Sequence, residues 1–188
     1  MFLAVVPPDE VTEHLDEFLA PRRDRTAPLR WTRPDSWHLT LAFLPAVADH
    51  DLDDLEDAVA AAVARRRRLS LRIVAGGAFP DPSRARVLWA GVAAGGPGAD
   101  DLAELDRLAA GVRTAAVRAG VETPSERFRP HLTLARMTPP VDATRWIRVL
   151  ETYAGPAFDV DTVSLVASLA GPRGGRRTYD VVERFRLG

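Results

Sequence analysis

The spacing of hydrophobic positions changes along the chain, and these changes predict alternating strands and helices. Short apolar runs and alternating positions predict strands over residues 2–6, 37–44, 69–75, 87–92, 130–136, 158–169 and 178–187. Apolar positions three and four residues apart predict helices over residues 9–19, 49–68, 100–119 and 141–153. Gly76 and Gly77 are expected to end the third strand, and Gly120 to cap the third helix. The order strand, helix, strand, helix, strand occurs twice, which indicates an α+β fold with an internal duplication.

The sequence HLTLA occurs in both halves of the chain, at residues 38–42 and 131–135. Side chains alternate between the two faces of a strand, so His38 and Thr40 share one face while the leucines occupy the other. His131 and Thr133 are arranged in the same way in the second copy. If a pseudo-twofold axis relates the two halves, these four polar side chains converge on one cleft.

Two imidazoles and two hydroxyls suit in-line phosphoryl transfer on a phosphodiester. Histidine has an unperturbed pKa of about 6.5, so near neutral pH one ring can accept a proton while the other donates one. Threonine hydroxyls can hydrogen-bond phosphate oxygens as negative charge develops on them. This chemistry needs no metal ion, cofactor or covalent intermediate. The two motifs are nearly symmetric, so the residues alone leave open which histidine is the acid and which is the base.

Other roles for the histidines have less support. A single histidine on a strand is more often structural than catalytic, and His14 and His50, which lie outside the repeat, are expected to be structural. Zinc sites draw three or four ligands from histidine, cysteine and carboxylates, whereas this chain has no cysteine and neither motif contains a carboxylate. No GxSxG sequence indicates a serine nucleophile. We therefore expect no metal in the site.

Composition narrows the class of protein but does not identify a partner. The chain has 188 residues, of which 46% are hydrophobic, and its formal net charge is −1, so bulk charge does not indicate nucleic-acid binding. All 25 basic residues are arginine, which we attribute to coding bias, although arginine also suits phosphate binding. The arginines at positions 65–68 are expected to form the last turn of a helix rather than a nucleic-acid patch.

Cellular location is predicted only by what the sequence lacks. The chain has no cysteine, no signal-like start and no apolar run that approaches the ~20 residues of a membrane span. We expect a soluble cytoplasmic protein with no membrane partner.

Several stretches of the chain resemble the two-histidine (2H) phosphoesterases. They are FLAVVPP, RWTRPDSWHLTLAFL, GGAFPDPSRARVLWAGV, FRPHLTLAR and SLAGPRGGRRTYDVVERF. Within that superfamily the chain most resembles the RNA 2′,3′-cyclic phosphodiesterases, formerly described as 2′-5′ RNA ligases, over nearly its whole length. The resemblance implies a bilobal, pseudo-twofold α+β fold in which two antiparallel sheets flank a central cleft, with helices outside. Residues 1–188 would then form one inseparable domain, which we expect to be a monomer.

The resemblance also implies an activity, namely metal-independent hydrolysis of the 2′,3′-cyclic phosphate at an RNA 3′ end to a 2′-phosphomonoester. By the family pattern, His38 would be the proton donor to the departing 3′ oxygen, and His131 would accept a proton from water. Thr40 and Thr133 would hold the phosphate. No cofactor is implied.

Arg136 is a further candidate for contact with the substrate. It ends the second motif at the position where the first motif has Phe43, and relatives commonly have arginine there. Strict alternation directs position 136 away from His131, unless a bulge or the end of the strand turns it back.

A glycine-rich loop near residue 175 and two aromatic residues are further positions that could contact a substrate. Arg173, Arg176 and Arg177 lie in a glycine-rich loop that could follow an RNA backbone or form a solvated turn. Phe79 and Trp89 are expected to pack in the core rather than to stack on a base.

Two other functions stay open from the sequence. The same four residues would serve a cyclic phosphodiesterase that acts on small nucleotides, or reversible 2′-5′ joining of RNA ends, because the reverse reaction exchanges the acid and the base. The duplicated fold is also compatible with a non-catalytic module that binds RNA or nucleotides. Intact histidine and threonine in both copies favour an enzyme.

Overall fold

The computed structural model describes residues 1–23, 29–97, 100–125, 127–169 and 177–188. Its elements in chain order are β1 (Phe2–Val5), α1 (Asp9–Leu19), β2 (Leu29–Trp31), β3 (Leu39–Phe43), α2 (Leu52–Val63), β4 (Leu69–Phe79), β5 (Ala85–Ala94), α3 (Asp101–Arg118), β6 (Leu132–Val141), α4 (Thr144–Leu150), β7 (Ala154–Val160), β8 (Thr162–Leu169) and β9 (Thr178–Arg186). The α+β class is confirmed. The predicted order occurs as β1–α1–β3–α2–β4 and again as β5–α3–β6–α4–β7, with the short β2 added in the first half.

The strands form one nine-stranded sheet whose neighbours are antiparallel. The spatial order is β7-β4-β5-β6-β3-β1-β8-β9, and β2 pairs with β6 beside β3. The two halves of this sheet meet at a single residue pair, Leu39 on β3 and Leu132 on β6. The two antiparallel sheets expected from the resemblance are therefore present as two halves that this pair joins. The consecutive strands β7 and β8 lie in different halves, so neither half is one continuous segment of chain.

The helices bury apolar faces against the sheet and against each other. Val11, Leu15 and Leu19 of α1 are buried at helical spacing, and α3 buries a longer apolar face of the same kind. Burial of each such side chain contributes roughly 1.5–3 kcal/mol to the stability of the fold. Gly120 follows α3 with a φ of 82°, as predicted for a residue that ends a helix. Within the described ranges, no helix has the length and apolar character that crossing a membrane requires.

The arginine run at positions 65–68 lies beyond the end of α2, so the prediction that it forms the last helical turn is wrong. Arg66 lies 3.7 Å from the carboxylate of Glu104, and Arg67 lies 2.7 Å from that of Asp101. Both carboxylates are buried at the start of α3, where an unpaired charge would be costly. These ion pairs therefore tie the end of α2 to the start of α3.

The paired glycines 76 and 77 do not end β4, contrary to the prediction. A bulge at Ala75, which has a φ of 48°, shifts the register, and the strand then continues to Phe79. A Cβ atom added to Gly77 would lie 2.4 Å from the ring of Trp89. Gly77 is therefore needed for packing under the indole ring.

Candidate active site

One face of the sheet lies opposite the main core, and it carries the polar residues of both motifs. On β1, Leu3 belongs to the main core, whereas Phe2 and Ala4 form a separate small cluster with Val166. Ala4 pairs with Thr40, and directly paired residues project to the same side of a sheet. Thr40 therefore lies on the side opposite the main core, which we call the cleft face.

The junction between β3 and β6 brings the two motifs together. The strands meet in an antiparallel pair formed by the first leucine of each motif. The pairing is recorded at this position alone, and each leucine is flanked in sequence by the histidine and the threonine of its motif. The charge of His131 lowers the pKa of His38, which indicates that the two rings lie near each other. The junction thus brings one histidine and one threonine from each half to the same region of the cleft face.

Both imidazole rings are held by the same local hydrogen bond. Nδ1 of His38 lies 2.7 Å from the carbonyl oxygen of Ser36, and Nδ1 of His131 lies 2.6 Å from that of Arg129. A carbonyl oxygen only accepts hydrogen bonds, so each Nδ1 carries a proton and donates it. In the neutral ring Nε2 is then unprotonated, which leaves it as the atom able to exchange a proton with a substrate.

Burial lowers the pKa of both histidines below the ordinary value for imidazole. The hydrogen bond to the carbonyl oxygen opposes this effect in each case, because it stabilises the charged ring. The positive charge of Arg136 lowers the pKa of both rings, and the charge of His131 further lowers the pKa of His38. Both rings therefore favour the neutral form near pH 7 in the free protein.

A β-bulge in the second motif turns Arg136 onto the cleft face. The successive pairs between β5 and β6 are Trp89–Thr133, Leu88–Ala135 and Val87–Arg136. Leu134 is the extra residue, so the alternation of faces shifts by one position after it. Arg136 consequently projects to the same side as Thr133, and its side chain is exposed. The bulge overrides the strict alternation that would direct Arg136 away from the histidines.

The first motif contains the same bulge. The successive pairs between β1 and β3 are Ala4–Thr40, Leu3–Ala42 and Phe2–Phe43. Leu41 is the extra residue here, so Phe43 occupies the position in its half that Arg136 occupies in the other. Phe43 is 52% exposed, which is high for a phenylalanine. The duplicated backbone thus presents an aromatic ring on one side and a cation on the other.

His38 packs between two aromatic rings from distant parts of the chain. It stacks on Phe2 with ring centroids 4.4 Å apart and an interplanar angle of 20°. Tyr179 approaches the imidazole edge-on at 5.4 Å. Neither contact is predicted from the sequence, because Phe2 approaches His38 through the pairing of β1 with β3, and Tyr179 through the pairings of β1 with β8 and of β8 with β9.

His131 is flanked by the two aromatic residues that were predicted to pack in the core. Phe79 meets the imidazole edge-on with centroids 5.0 Å apart, and Trp89 lies 6.1 Å away. Both are only partly buried and neither belongs to the main core cluster, so the prediction of core packing is wrong. Their register on β4 and β5 sets them on the cleft face beside Thr133.

Of the other candidate arginines, two lie outside the described ranges and one is described. Arg173 and Arg176 fall outside the described residues. Arg177 donates a hydrogen bond to the hydroxyl of Ser168 at 3.0 Å.

The two remaining histidines contact neither motif. Nδ1 of His14 lies 3.0 Å from the hydroxyl of Tyr153, and His50 is exposed in a short 3-10 helix. Across the described parts of the chain, no three His, Cys, Asp or Glu side chains cluster closely enough to hold a metal ion.

Two surface concavities lie elsewhere on the molecule. One, of about 640 Å³, is lined by Arg22, Asp142, Thr144, Arg145, Arg148, Val149 and Thr152. The other, of about 420 Å³, lies between α2 and β9. Neither contains a histidine, so the candidate site is defined by the motif geometry on an open sheet face and not by the volume of a cavity.

Comparison of the sequence with known proteins identifies a family and several relatives. Residues 5–89 and 98–175 match the model of the LigT-like phosphoesterases. The RNA 2′,3′-cyclic phosphodiesterase of Aeropyrum pernix is 34% identical over 123 residues, which cover 63% of this chain and 65% of that protein. The protein of the same name from Aquifex aeolicus is 28% identical over 85% of this chain and 82% of its own length. That from Methanothermobacter thermautotrophicus is 26% identical, with 99% and 97% covered.

Solved structures of similar fold cover almost the whole chain. E. coli LigT complexed with 3′-AMP gives a TM-score of 0.76 at 26% identity, covering 99% of this chain and 96% of that one. TT0787 of Thermus thermophilus gives a TM-score of 0.75 at 27% identity with the same coverage. The resemblance seen in the sequence motifs and the fold class that it implied are both confirmed.

Proposed function

The chain belongs to the LigT-like phosphoesterase family, and we propose that it hydrolyses the 2′,3′-cyclic phosphate at an RNA 3′ end to a 2′-phosphomonoester. The observation that carries this proposal is the register at the β3–β6 junction, which sets a histidine and a threonine of each motif around one region. The curated relatives named RNA 2′,3′-cyclic phosphodiesterase support the same reaction. The two-histidine mechanism and the RNA substrate are our inference.

In this mechanism the two histidines transfer protons at opposite ends of an in-line displacement. Neutral His131 accepts a proton at Nε2 from a water molecule, whose oxygen forms a bond to phosphorus. As the bond from phosphorus to the 3′ oxygen breaks, protonated His38 donates its Nε2 proton to that oxygen. The phosphate stays on the 2′ oxygen, and proton exchange with solvent restores both rings. Each positioned proton transfer is worth about 10²–10⁴ in rate.

The threonines and Arg136 stabilise the negative charge that develops on the phosphate. Thr40 and Thr133 donate hydrogen bonds to non-bridging oxygens, and the positive charge of Arg136, two strand steps from Thr133, stabilises the same negative charge from a distance. Donors fixed on strands need little rearrangement during the reaction. This preorganisation is the source of their effect on rate.

Binding of the anionic substrate also favours the protonated form of His38, which the mechanism needs. In the free protein burial and Arg136 lower the pKa of His38. A phosphate bound beside the imidazole favours its charged form and so raises that pKa again. Protonation of the acid is thereby coupled to substrate binding.

A cyclic phosphodiesterase that acts on small nucleotides is the second candidate function. Solved complexes of the structurally similar E. coli LigT contain 3′-AMP, NADP+ and ATP. That protein therefore forms complexes with mononucleotides and with a dinucleotide. The same histidines and threonines would act on such substrates.

The decisive experiment uses an oligoribonucleotide that ends in a 2′,3′-cyclic phosphate. We expect complete conversion to the 2′-phosphate in the presence of EDTA, identified by phosphatase sensitivity and by chromatography against 2′- and 3′-phosphate standards. A 3′-phosphate product would contradict the assigned leaving oxygen. Loss of activity in EDTA that zinc restores would rule out the metal-independent mechanism. Faster turnover of a cyclic mononucleotide than of the oligonucleotide would favour the second candidate.

A further inference from the structure

The short strand β2 adds a second arginine beside Arg136. The pairs between β2 and β6 are Leu29–Met137, Arg30–Arg136 and Trp31–Ala135. Arg30 and Arg136 therefore project to the same side of the sheet, and both are exposed. Since Arg136 lies on the cleft face, Arg30 extends that face beyond the histidines. We call these two residues the arginine pair.

The arginine pair has no compensating acid in the part of the chain that the structure describes. The ion pairs formed there involve other arginines, and neither Arg30 nor Arg136 lies within 4.0 Å of any carboxylate that the structure describes. Like charges directly opposite each other on neighbouring strands are destabilising. The arrangement is electrostatically unfavourable in the free protein and would be relieved by an anion.

The position of β2 on β6 is fixed by a buried polar network. The hydroxyl of Thr32 lies 2.7 Å from the carbonyl oxygen of Thr133 and 2.8 Å from that of Leu134, to which it donates. The indole of Trp37, which is 2% exposed, donates to the same hydroxyl at 2.7 Å. These contacts fasten the residue that follows β2 to the bulge of the second motif. Arg30 is thus held at a defined distance from the catalytic threonine on β6.

We propose that Arg30 and Arg136 together bind a second phosphate group of the substrate, one nucleotide away from the cyclic phosphate. This proposal rests on the proposed function and specifies its substrate. The enzyme would favour a substrate with a phosphate on the 5′ side of the terminal nucleoside, as every RNA end has, over a cyclic nucleoside phosphate with a free 5′ hydroxyl.

The spacing on β6 suits two neighbouring phosphates. Thr133 and Arg136 are three positions apart, but the bulge makes this equivalent to two strand steps, or about 7 Å. Neighbouring phosphates along an RNA strand are separated by a comparable distance. Guanidinium groups form bidentate hydrogen bonds with phosphate oxygens, so one guanidinium from each strand can hold one phosphate between them.

On β1 and β3, which the structure describes in full, the other half has no comparable pair of cations at its outer positions. The place equivalent to Arg136 is taken by Phe43, and its partner on β1 is Phe2. The second phosphate is therefore assigned to the His131 side of the cleft, and an apolar group such as the base fits the His38 side better.

The test compares adenosine 2′,3′-cyclic phosphate with its 5′-phosphorylated form. In the wild-type enzyme we expect kcat/KM to be about tenfold higher for the 5′-phosphorylated substrate, as expected for one charge-assisted contact. In Arg30→Gln this ratio should fall to about one, whereas Arg30→Lys should retain part of it. The control is Arg118→Gln, which alters an exposed arginine at the end of α3 and should keep the wild-type ratio.

Other outcomes would overturn the proposal. The first is a wild-type enzyme whose kcat/KM is about the same for the 5′-phosphorylated and the unphosphorylated substrate. The second is an Arg30→Gln variant that loses activity equally on both substrates, so that the ratio of the two kcat/KM values stays at the wild-type level. Binding is measured separately by calorimetry with adenosine 2′,5′-bisphosphate and 2′-AMP, which need no turnover. If neither cyclic substrate is hydrolysed but the bisphosphate binds about tenfold more tightly in an Arg30-dependent manner, the proposed function fails while the second-phosphate site stands.

Discussion

In the His38 half of the cleft the bulged strand ends in Phe43, whereas in the His131 half the equivalent strand continues from Arg136. Both halves contain HLTLA, the same bulge, and the same bond from Nδ1 to a carbonyl oxygen two residues earlier. The duplicated backbone therefore fixes the same orientation of the imidazole ring in both halves. At the position that follows each bulge, one half carries Phe43 and the other Arg136, which gives a symmetric frame an asymmetric cleft.

The largest expected loss of activity concerns the histidines, which both halves share. His38→Ala and His131→Ala should each lower kcat by about 10²–10⁴, because each removes one of the two proton-transfer groups. The double variant should be only slightly slower than either single one, since the two groups act in one step. Single-turnover hydrolysis of the cyclic-ended oligonucleotide measures these rates. His50→Ala, which alters an exposed histidine, is the control. Retention of near-wild-type turnover by either variant would exclude the paired mechanism.

The next effect tests the position at which the halves differ. Arg136→Phe would make both halves carry an aromatic ring, and kcat/KM should fall by about 10–100-fold through the loss of a charge-assisted contact. Because the guanidinium lowers the pKa of both histidines, its removal should raise both values. The acid limb of the pH–rate profile should accordingly shift to higher pH. An unchanged acid limb would mean that Arg136 does not act on the rings electrostatically.

Removal of the two threonine hydroxyls should have a smaller effect on activity, and it tests whether the two halves contribute equally. Thr40→Val and Thr133→Val keep the shape of the side chain and remove the hydroxyl. Each should lower kcat by about tenfold, as expected for one hydrogen bond made to the phosphate in the transition state. We expect the two losses to be similar because the register relates the residues symmetrically. A large effect in only one variant would indicate that the phosphate is held by one half alone.

The smallest effect separates the environments of the two rings. Phe2→Leu removes the ring that stacks on His38, and Phe79→Leu removes the ring edge-on to His131. Less complete burial should raise the pKa of the adjacent histidine towards its ordinary value, and the pKa of the other histidine should change less, through the charge coupling between the rings. Titration of the imidazole C–H resonances by NMR measures both values in each variant. Equal shifts of both rings in one variant would contradict separate environments.

The sequence was sufficient for the fold class and for the order of the elements, which the structure confirms. Both predictions depend on local patterns with periods of two and of three to four residues. Alternation also assigns His38, Thr40, His131 and Thr133 to one face, and their selection as site residues stays a prediction. The roles assigned to the residues stay predictions.

The remaining features depend on interactions that local patterns do not encode. The bulges at Leu41 and Leu134 interrupt alternation, and nothing in a two-residue period marks where an extra residue is accommodated. Arg30 reaches the cleft face only because β2 pairs with a strand about a hundred residues away. Phe79 and Trp89 are large apolar residues of the kind that usually packs in a core, and only their register shows that they face the cleft.

The position of β1 between β3 and β8 has a consequence for synthesis on the ribosome. Phe2 pairs with Phe43 on one side and with Val166 on the other, so β1 gains its second neighbour only after a strand far along the chain has been synthesised. Until then its outer edge and its apolar side chains stay uncovered, which is the state in which nascent chains are most prone to aggregate. We expect a chain that still lacks β8 to expose this edge and to aggregate more readily than the complete sheet.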